Sequence, residues 1–141
     1  MKKLIKTMLT VVMIGYSAMS FSQVAVVVGA KSAVTTLNAD QIAGLFLGKS
    51  DHLPGVGTGL LLDQPESSPT RELFYTKVTG KSSAQVKATW SRLVFSGQGV
   101  PPKVIGNSEA VKKTVTSHAN ALGYIEKSAV DSTVKVLLTV D

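Results

Sequence analysis

The pattern of apolar and polar positions alternates along the chain between short continuous apolar runs and stretches with helical spacing. The run at 23–29 is dominated by valine, which is typical of a strand buried on both faces. Further short apolar runs of the same kind lie at 59–63, 103–105, 122–125 and 134–138. These five runs predict the strands of one sheet.

Four stretches between these runs carry helix signals. Asn38 and Gln41 have the spacing of a capping box, and Gly48 suits the end of the short helix that follows. Three further helices are predicted at 68–80, 82–96 and 107–118, and residues 49–59 are a loop by composition. Strands that alternate with helices predict a single three-layer α/β domain, with a mostly parallel sheet and helices on both faces.

The first 22 residues have the composition of a secretory signal peptide. Three lysines precede an apolar run at 8–18, and small residues follow it. The apolar run is shorter than the roughly 20 residues that a membrane span needs. We therefore expect cleavage near Gln23, which leaves residues 23–141 as one exported domain.

Charge and cysteine content exclude several classes of protein. The formal net charge is +6, but three of the 15 basic residues and none of the nine acidic residues lie in the leader, so the remainder carries about +3. No basic cluster of the kind that binds nucleic acid is evident. The chain has no cysteine, which excludes disulfides, Cys/His metal sites and lipid attachment at the cleavage point.

The sequence contains no recognisable catalytic constellation. His52 lies in a Gly/Pro-rich loop and His118 near a helix end, and neither is tied to a nucleophile. The alternating glycines at 55–59 precede a strand, whereas a nucleotide-binding loop opens a helix. We expect a protein that is not an enzyme, with no catalytic residue, no metal site and no cofactor.

The most informative stretch is 63–74, where an apolar strand passes through a turn into a helix. Ser68 can cap this helix with Pro69 at its first position. The free amides of a helix start favour an anion, and Ser67, Ser68, Thr70 and Arg71 add donors suited to an oxyanion. The alternative interpretation is an ordinary capped helix start with a surface arginine.

Two aromatic residues could contact a ligand by stacking. Trp90 falls on the apolar stripe of its helix, together with Leu93 and Val94, which favours a place in the core. Tyr124 follows a glycine in a predicted strand, and both a buried and a ligand-facing ring fit that position.

Several segments, taken in order, resemble the phosphate-type periplasmic substrate-binding proteins of ABC transporters. They are Leu-Asn-Ala-Asp-Gln-Ile-Ala-Gly-Leu-Phe-Leu-Gly-Lys at 37–49, the strand and turn at 61–74, Trp-Ser-Arg-Leu-Val-Phe-Ser-Gly at 90–97 and Asn-Ala-Leu-Gly-Tyr-Ile at 120–125. The resemblance implies one lobe of a type II periplasmic binding protein, matching the second lobe of a clamshell that closes on an oxyanion.

This sequence matches the binding turn of the family only in part. In the family this turn reads Arg-x-x-x-Ser-Gly-Thr, and Ser67 matches its serine. Ser68 and Pro69 stand where glycine and threonine are expected, and Asp63 stands at the arginine position. Arg71 could substitute in part for the missing cation.

The resemblance implies a periplasmic solute-binding-like protein that binds phosphate or a similar small oxyanion weakly and is linked to ABC transport. Its partners would be the anion and a membrane permease or a second copy of the chain, without nucleic acid. The alternative is a ligand-free periplasmic accessory module that kept the lobe fold and acts through an interaction.

Overall fold

The computed structural model describes residues 23–141. Its strands are β1 (Val24–Gly29), β2 (His52–Leu53), β3 (Gly57–Thr58), β4 (Leu60–Asp63), β5 (Lys103–Val104), β6 (Ala121–Glu126) and β7 (Val134–Val140). Its α-helices are α1 (Ala39–Phe46), α2 (Pro69–Thr79), α3 (Ser83–Phe95) and α4 (Ser108–Ser117). Within residues 23–141, no helix combines the length and the apolar character needed to cross a bilayer.

Five strands form the main sheet in the order β5-β4-β6-β1-β7. The pairs β4–β5 and β4–β6 are parallel, whereas β1 is antiparallel to both β6 and β7. Four of the five strands therefore run in one direction and β1 runs against them. The predicted mostly parallel sheet is confirmed, with this central antiparallel strand as an addition that the apolar run did not indicate.

The interior strand β1 contributes side chains to two apolar cores, one on each face of the sheet. All six of its residues are buried. Val24, Val26 and Val28 face the larger core with α1, α2 and α3, whereas Ala25 and Val27 face the smaller core with α4. Because successive side chains of a strand point to opposite faces, the unbroken apolar run at 24–28 supplies both layers. Helices on both faces are thus confirmed.

Helix α4 packs unusually close to the sheet. A side chain on Gly29 would lie 2.4 Å from the carbonyl oxygen of Val115, and one on Gly123 would lie 2.5 Å from Cγ1 of Val111. Only glycine permits these approaches without displacing the helix.

The helix starts follow the sequence signals. Asn38 and Ser82 each form a complete capping box. Ser68 caps α2 with Pro69 at the first position, and Gly80 ends that helix in the left-handed conformation with φ of 70°. These features are local, which explains why the sequence predicts them.

Two predictions differ from the structure. Residues 49–59 are not wholly loop, because β2 and β3 pair there as a small hairpin. Val94 was expected in the core but is 50% exposed, since it lies beside an open cavity near the end of α3. Trp90 is buried as predicted, and its indole N–H donates to the carbonyl of Phe46 over 2.8 Å.

An aromatic cluster fills the centre of the larger core. The rings of Phe74 and Tyr124 stack with centroids 4.1 Å apart, and Phe46 and Tyr75 meet them edge to face. Such arrangements suit the quadrupoles of aromatic rings. The cluster places both tyrosine hydroxyls beside Asp63, at the end of β4.

Candidate functional site

The candidate site lies at the carboxyl ends of the parallel strands. Strand β4 ends at Asp63 and β6 ends at Glu126 on the same edge of the sheet. Helices α2 and α4 begin just beyond this edge. In open α/β sheets this is the edge where ligands bind, because strand ends and helix N-termini meet there.

A cleft of about 380 Å³ opens between the two helix starts. Its walls are the turn before α2, with Ser67 and Ser68, and the start of α4, with Asn107 and Ser108. Glu126 contributes the carboxylate between them. We call this space the helix-start cleft.

The start of α2 is held by a short chain of hydrogen bonds. The amide of Arg71 donates to Oγ of Ser68 over 3.3 Å, and the same hydroxyl donates to Oε1 of Gln64 over 2.9 Å. The side-chain amide of Gln64 in turn donates to the carbonyl of Tyr124 over 3.0 Å. The turn is therefore fixed to β6, and its amides are held in place before any ligand arrives.

Glu126 ties both helix starts to the end of β6. Its carboxylate accepts a hydrogen bond from Oγ1 of Thr70 over 3.2 Å, and its backbone amide donates to Oγ of Ser108 over 3.2 Å. A second carboxylate at the cleft, Glu109, forms an ion pair with Lys112 at 3.3 Å. The cleft therefore combines two positive helix ends with two carboxylates.

Asp63 is the centre of a buried network on the other side of the α2 start. Its carboxylate accepts hydrogen bonds from the hydroxyls of Tyr75 and Tyr124, the first over 2.6 Å. It also accepts a hydrogen bond from the backbone amide of Gln64 over 2.8 Å. Nε of Arg71 lies 3.3 Å from Oδ1 of Asp63, and both side chains are buried. Burial, followed by the neighbouring Asp63 carboxylate, raises the pKa of both tyrosines. The charge of Arg71 is thus compensated inside the protein.

The predicted site residues separate into two groups. Ser67 and Ser68 line the helix-start cleft, and Thr70 contacts Glu126 at its wall. Arg71 instead faces Asp63 and a different cavity, which Ser67 and Ser68 do not line. The four residues begin one helix but do not converge on one point.

Sequence reasoning missed the second half of the cleft. Asn107, Ser108 and Glu126 come from segments about 40 to 60 positions from Ser67 in the sequence. The available signal was the parallel arrangement of the strands, because the carboxyl ends of parallel strands meet at one edge. Among residues 23–141 no group of three or more His, Asp or Glu side chains is placed to hold a metal ion.

The second cavity, of about 500 Å³, lies between α3 and β5. Trp90, Val94, Phe95 and Val104 form its apolar walls. Asp63, Arg71 and Lys87 also line it. We call this space the edge-strand cavity, since β5 is the last strand of the sheet on that side.

Comparisons with known proteins give matches of fold alone. No protein-family model matches the chain, and no curated protein matches it by sequence. A phosphate ABC transporter substrate-binding protein of Clostridium perfringens, crystallised with bound phosphate, matches with a TM-score of 0.65 and 21% identity. A phosphate transport receptor of Vibrio cholerae gives 0.64 and 21%, and PstS of Borrelia burgdorferi gives 0.58 and 12%.

Each of these matches covers 82% of this chain but only 45–47% of the other protein. The chain thus spans a little under half the length of these structures, as expected for one lobe. The resemblance predicted from the sequence is confirmed at the level of fold. The similar proteins are binding proteins rather than enzymes.

Proposed function

We propose that this chain is a periplasmic solute-binding-like protein that weakly binds a protonated small oxyanion, hydrogen phosphate above all, in the helix-start cleft. The observation that carries the proposal is the opening of two helix N-termini, those of α2 and α4, on one cleft at the carboxyl edge of the sheet. The similarity to phosphate-binding proteins supports the same ligand class.

The helix starts supply the attraction for an anion. Each α-helix leaves its first amides without intrahelical acceptors and carries about half a positive charge at that end. Ser68 and Asn107 already cap the third amide of α2 and α4, respectively. The amides of Thr70, Ser108 and Glu109 precede those capped positions and have no acceptor within their own helix. Since Ser108 and Glu109 line the cleft and Thr70 does not, the amides of Ser108 and Glu109 are the donors available to an oxyanion there.

The carboxylates of the cleft favour an anion that still carries a proton. Glu126 repels any negative charge, but it can accept a hydrogen bond from the hydroxyl of hydrogen phosphate. Sulfate has no proton to donate near neutral pH, so it meets only the repulsion. Because Glu126 is exposed, solvent weakens this discrimination without reversing its sign. We therefore expect a preference for phosphate over sulfate.

The affinity should be low. The guanidinium of Arg71 is compensated by Asp63 and does not line the cleft. The cleft is open to solvent, where screening weakens each charged hydrogen bond. We expect a dissociation constant of roughly millimolar order, which corresponds to about −4 kcal/mol.

The test is an amide NMR titration of the purified protein with sodium phosphate and, separately, with sodium sulfate at equal ionic strength. Phosphate should shift the amides of Ser108 and Glu109 first, and sulfate should shift them less. In the Glu126→Gln variant the preference should fall, because the repulsion is removed and sulfate becomes acceptable. Absence of any response from these amides at tens of millimolar phosphate, a range set by the weak affinity, would refute the proposal.

A second candidate function is an accessory module that binds a protein partner and no solute. The network around Asp63 favours it, because an internal carboxylate uses the donors that an anion would need. The exposed apolar side chains beside the edge-strand cavity favour it as well. If the titration fails while the fold is intact, this candidate replaces the first.

Export and the transport partner stay predictions. The proposed signal peptide at 1–22 lies outside the described residues, and mass spectrometry of protein recovered from the periplasm should find an N-terminus near Gln23. Association with a membrane permease or with a second copy of the chain would complete the open cleft. Either would be visible as a rise in phosphate affinity when the partner is added or the protein concentration increases.

A further inference from the structure

Exposed apolar side chains are concentrated at one edge of the molecule. Among residues 23–141, five large apolar side chains are strongly exposed, and four of them lie between the end of α3 and β5. Val94 is 50% exposed, Phe95 95%, Val100 86% and Val104 58%. Single exposed apolar residues are ordinary, but a contiguous group of them marks an interaction site.

The edge-strand cavity beneath this group has apolar walls and three charged side chains in its lining. Arg71 and Lys87 contribute two positive charges to its lining, and Asp63 contributes one negative charge. Lys87 lies at the rim, where it pairs with Glu66 at 2.9 Å. Since Asp63 offsets Arg71, the lining keeps an excess of one positive charge, which favours an apolar group that carries one carboxylate.

The buried guanidinium of Arg71 has unused donors. Arg71 is only 6% exposed, and its Nε and Nη1 atoms find no hydrogen-bond acceptor with good geometry among the described residues. Nε lies 3.3 Å from Asp63, close enough for an ion pair alone. A buried donor without an acceptor is costly, so a carboxylate that reaches Arg71 through a small shift of its side chain gains from meeting it.

Strand β5 offers a free backbone edge beside the cavity. It pairs with β4 on one side, and no described strand lies on its other side. The amide of Ile105 donates to the carbonyl of Asp63 over 3.0 Å, which directs Ile105 toward β4. Because neighbouring residues of a strand point their backbone groups in opposite directions, the N–H and C=O of Val104 point to the open side.

We propose that this edge binds an extended peptide segment of another protein, which pairs with Val104 as an added strand. One apolar side chain of the segment enters the edge-strand cavity between Val94 and Phe95, and an acidic side chain on the same face reaches toward Arg71 and Lys87. Strand addition of this kind takes affinity from backbone pairing and specificity from side-chain pockets. The inference develops the second candidate function, and it does not involve the helix-start cleft.

Two features argue for a peptide strand as the occupant. A small amphiphile would fill the cavity but leave the backbone of Val104 unused. A second copy that paired through β5 would bring Lys103 and the basic lining of two molecules together, and like charges across an interface are unfavourable.

The probe is the synthetic peptide acetyl-Thr-Val-Thr-Glu-Thr-Val-Thr-amide, which carries valine and glutamate on one face of an extended strand. Added to the purified protein, it should shift the amides of Val94, Phe95, Val104 and Ile105. A matched peptide with lysine in place of glutamate should bind about fivefold more weakly, as one exposed ion pair implies. The amides of the helix-start cleft should not respond.

Two variants test whether the peptide binds at the edge of β5 and beside the edge-strand cavity. Val104→Pro removes the outward N–H without touching the bonds to β4, and Phe95→Ser removes a side chain that is almost wholly exposed. Each should abolish the peptide-induced shifts. Val136→Ser, at an exposed apolar position on the opposite edge strand β7, is the matched control and should bind normally. Thermal unfolding of each variant confirms that it is folded.

Three outcomes would overturn the inference. One is the absence of shifts at about 5 mM peptide, which places the affinity below the millimolar class. A second is equal binding of the glutamate and lysine peptides. The third is concentration-dependent shifts at Val104 without peptide, which would assign the edge to a second copy. A response to phosphate in the cleft is a separate result, so each proposal can fail without the other.

Discussion

Asp63 and Glu126 end neighbouring parallel strands at the same edge of the sheet, yet their surroundings differ completely. Asp63 is 3% exposed and accepts from two tyrosine hydroxyls and a backbone amide. Glu126 is exposed, lines the helix-start cleft and accepts from one threonine hydroxyl. The carboxylate of Asp63 therefore stabilises the fold, and the carboxylate of Glu126 lines the candidate binding site.

The contrast shows that position at the carboxyl edge does not decide the role of a residue. The number of donors that reach each carboxylate decides it. Asp63 lies under α2, where the aromatic cluster and Arg71 surround it, so no solute can compete for it. Glu126 lies between two helix starts that face solvent. The start of α2 therefore has a structural site on one side, at Asp63, and a candidate binding site on the other side, at Glu126.

The largest expected effect is the loss of Asp63. Asp63→Ala leaves Arg71 buried without its counter-ion and removes the acceptor of Tyr75 and Tyr124. Breaking a buried pair in this way should lower the free energy of unfolding by about 3–5 kcal/mol. The matched change Glu126→Ala should cost less than about 1 kcal/mol. Urea denaturation of both variants checks this, and equal losses would contradict the contrast.

The second effect is alkaline destabilisation through the same network. The pKa values of Tyr75 and Tyr124 are raised in the folded state, so that state keeps protons which the unfolded chain releases near pH 10. The stability that the two tyrosines contribute is therefore complete below about pH 10 and is lost as the pH rises further. At about pH 11 the loss should be roughly 1.4 kcal/mol per tyrosine.

Urea midpoints measured at about pH 8, 10 and 11 test the alkaline effect. The Tyr75→Phe variant should show a shallower decline above pH 10, because one of the two groups is gone. A midpoint that is constant across this range would place the tyrosines outside the buried network.

A third prediction compares the two serines before α2. Ser68→Ala removes the cap of the helix and the hydrogen bond to Gln64, and it should cost about 1 kcal/mol. Ser67 is exposed, so Ser67→Ala should change the free energy of unfolding by less than about 0.5 kcal/mol. Thermal unfolding of both variants gives the comparison. A larger loss for Ser67→Ala would place its side chain in the structural network.

The smallest expected effect concerns a third carboxylate, Asp131. The hydrogen bond from Lys112, followed by those from Thr133, lowers the pKa of Asp131 to about 2. Its contribution to stability is present above its ordinary pKa near 3.8 and is lost as the pH falls toward about 2. Asp131→Asn should therefore destabilise the protein slightly at neutral pH and not at about pH 2, as measured by denaturation at both values. An equal effect at the two pH values would contradict the ion pair.

Local features of this fold could be predicted from the sequence, and long-range ones could not. Ser68, Asn38 and Ser82 cap helices through contacts three residues away, so their spacing alone was sufficient. The role of Asp63 depends on Tyr124, which is 61 positions distant, and the sequence indicated only a charge at a turn. The helical spacing of apolar residues predicted that Val94 lies in the core. That spacing carries no information on where the sheet ends, and Val94 lies beside its last strand.

The place of β1 between β6 and β7 has a consequence for how the chain is made. Val24 pairs with Glu126 on one side and with Val140 on the other, so the first strand finds both neighbours only in the last quarter of the chain. A nascent chain therefore cannot close this sheet until residues 121–140 have been made. Contacts over such separations also slow folding, because a long loop must close before they form. Until then, the six residues of β1 lack both of the strands that pair with them in the folded protein.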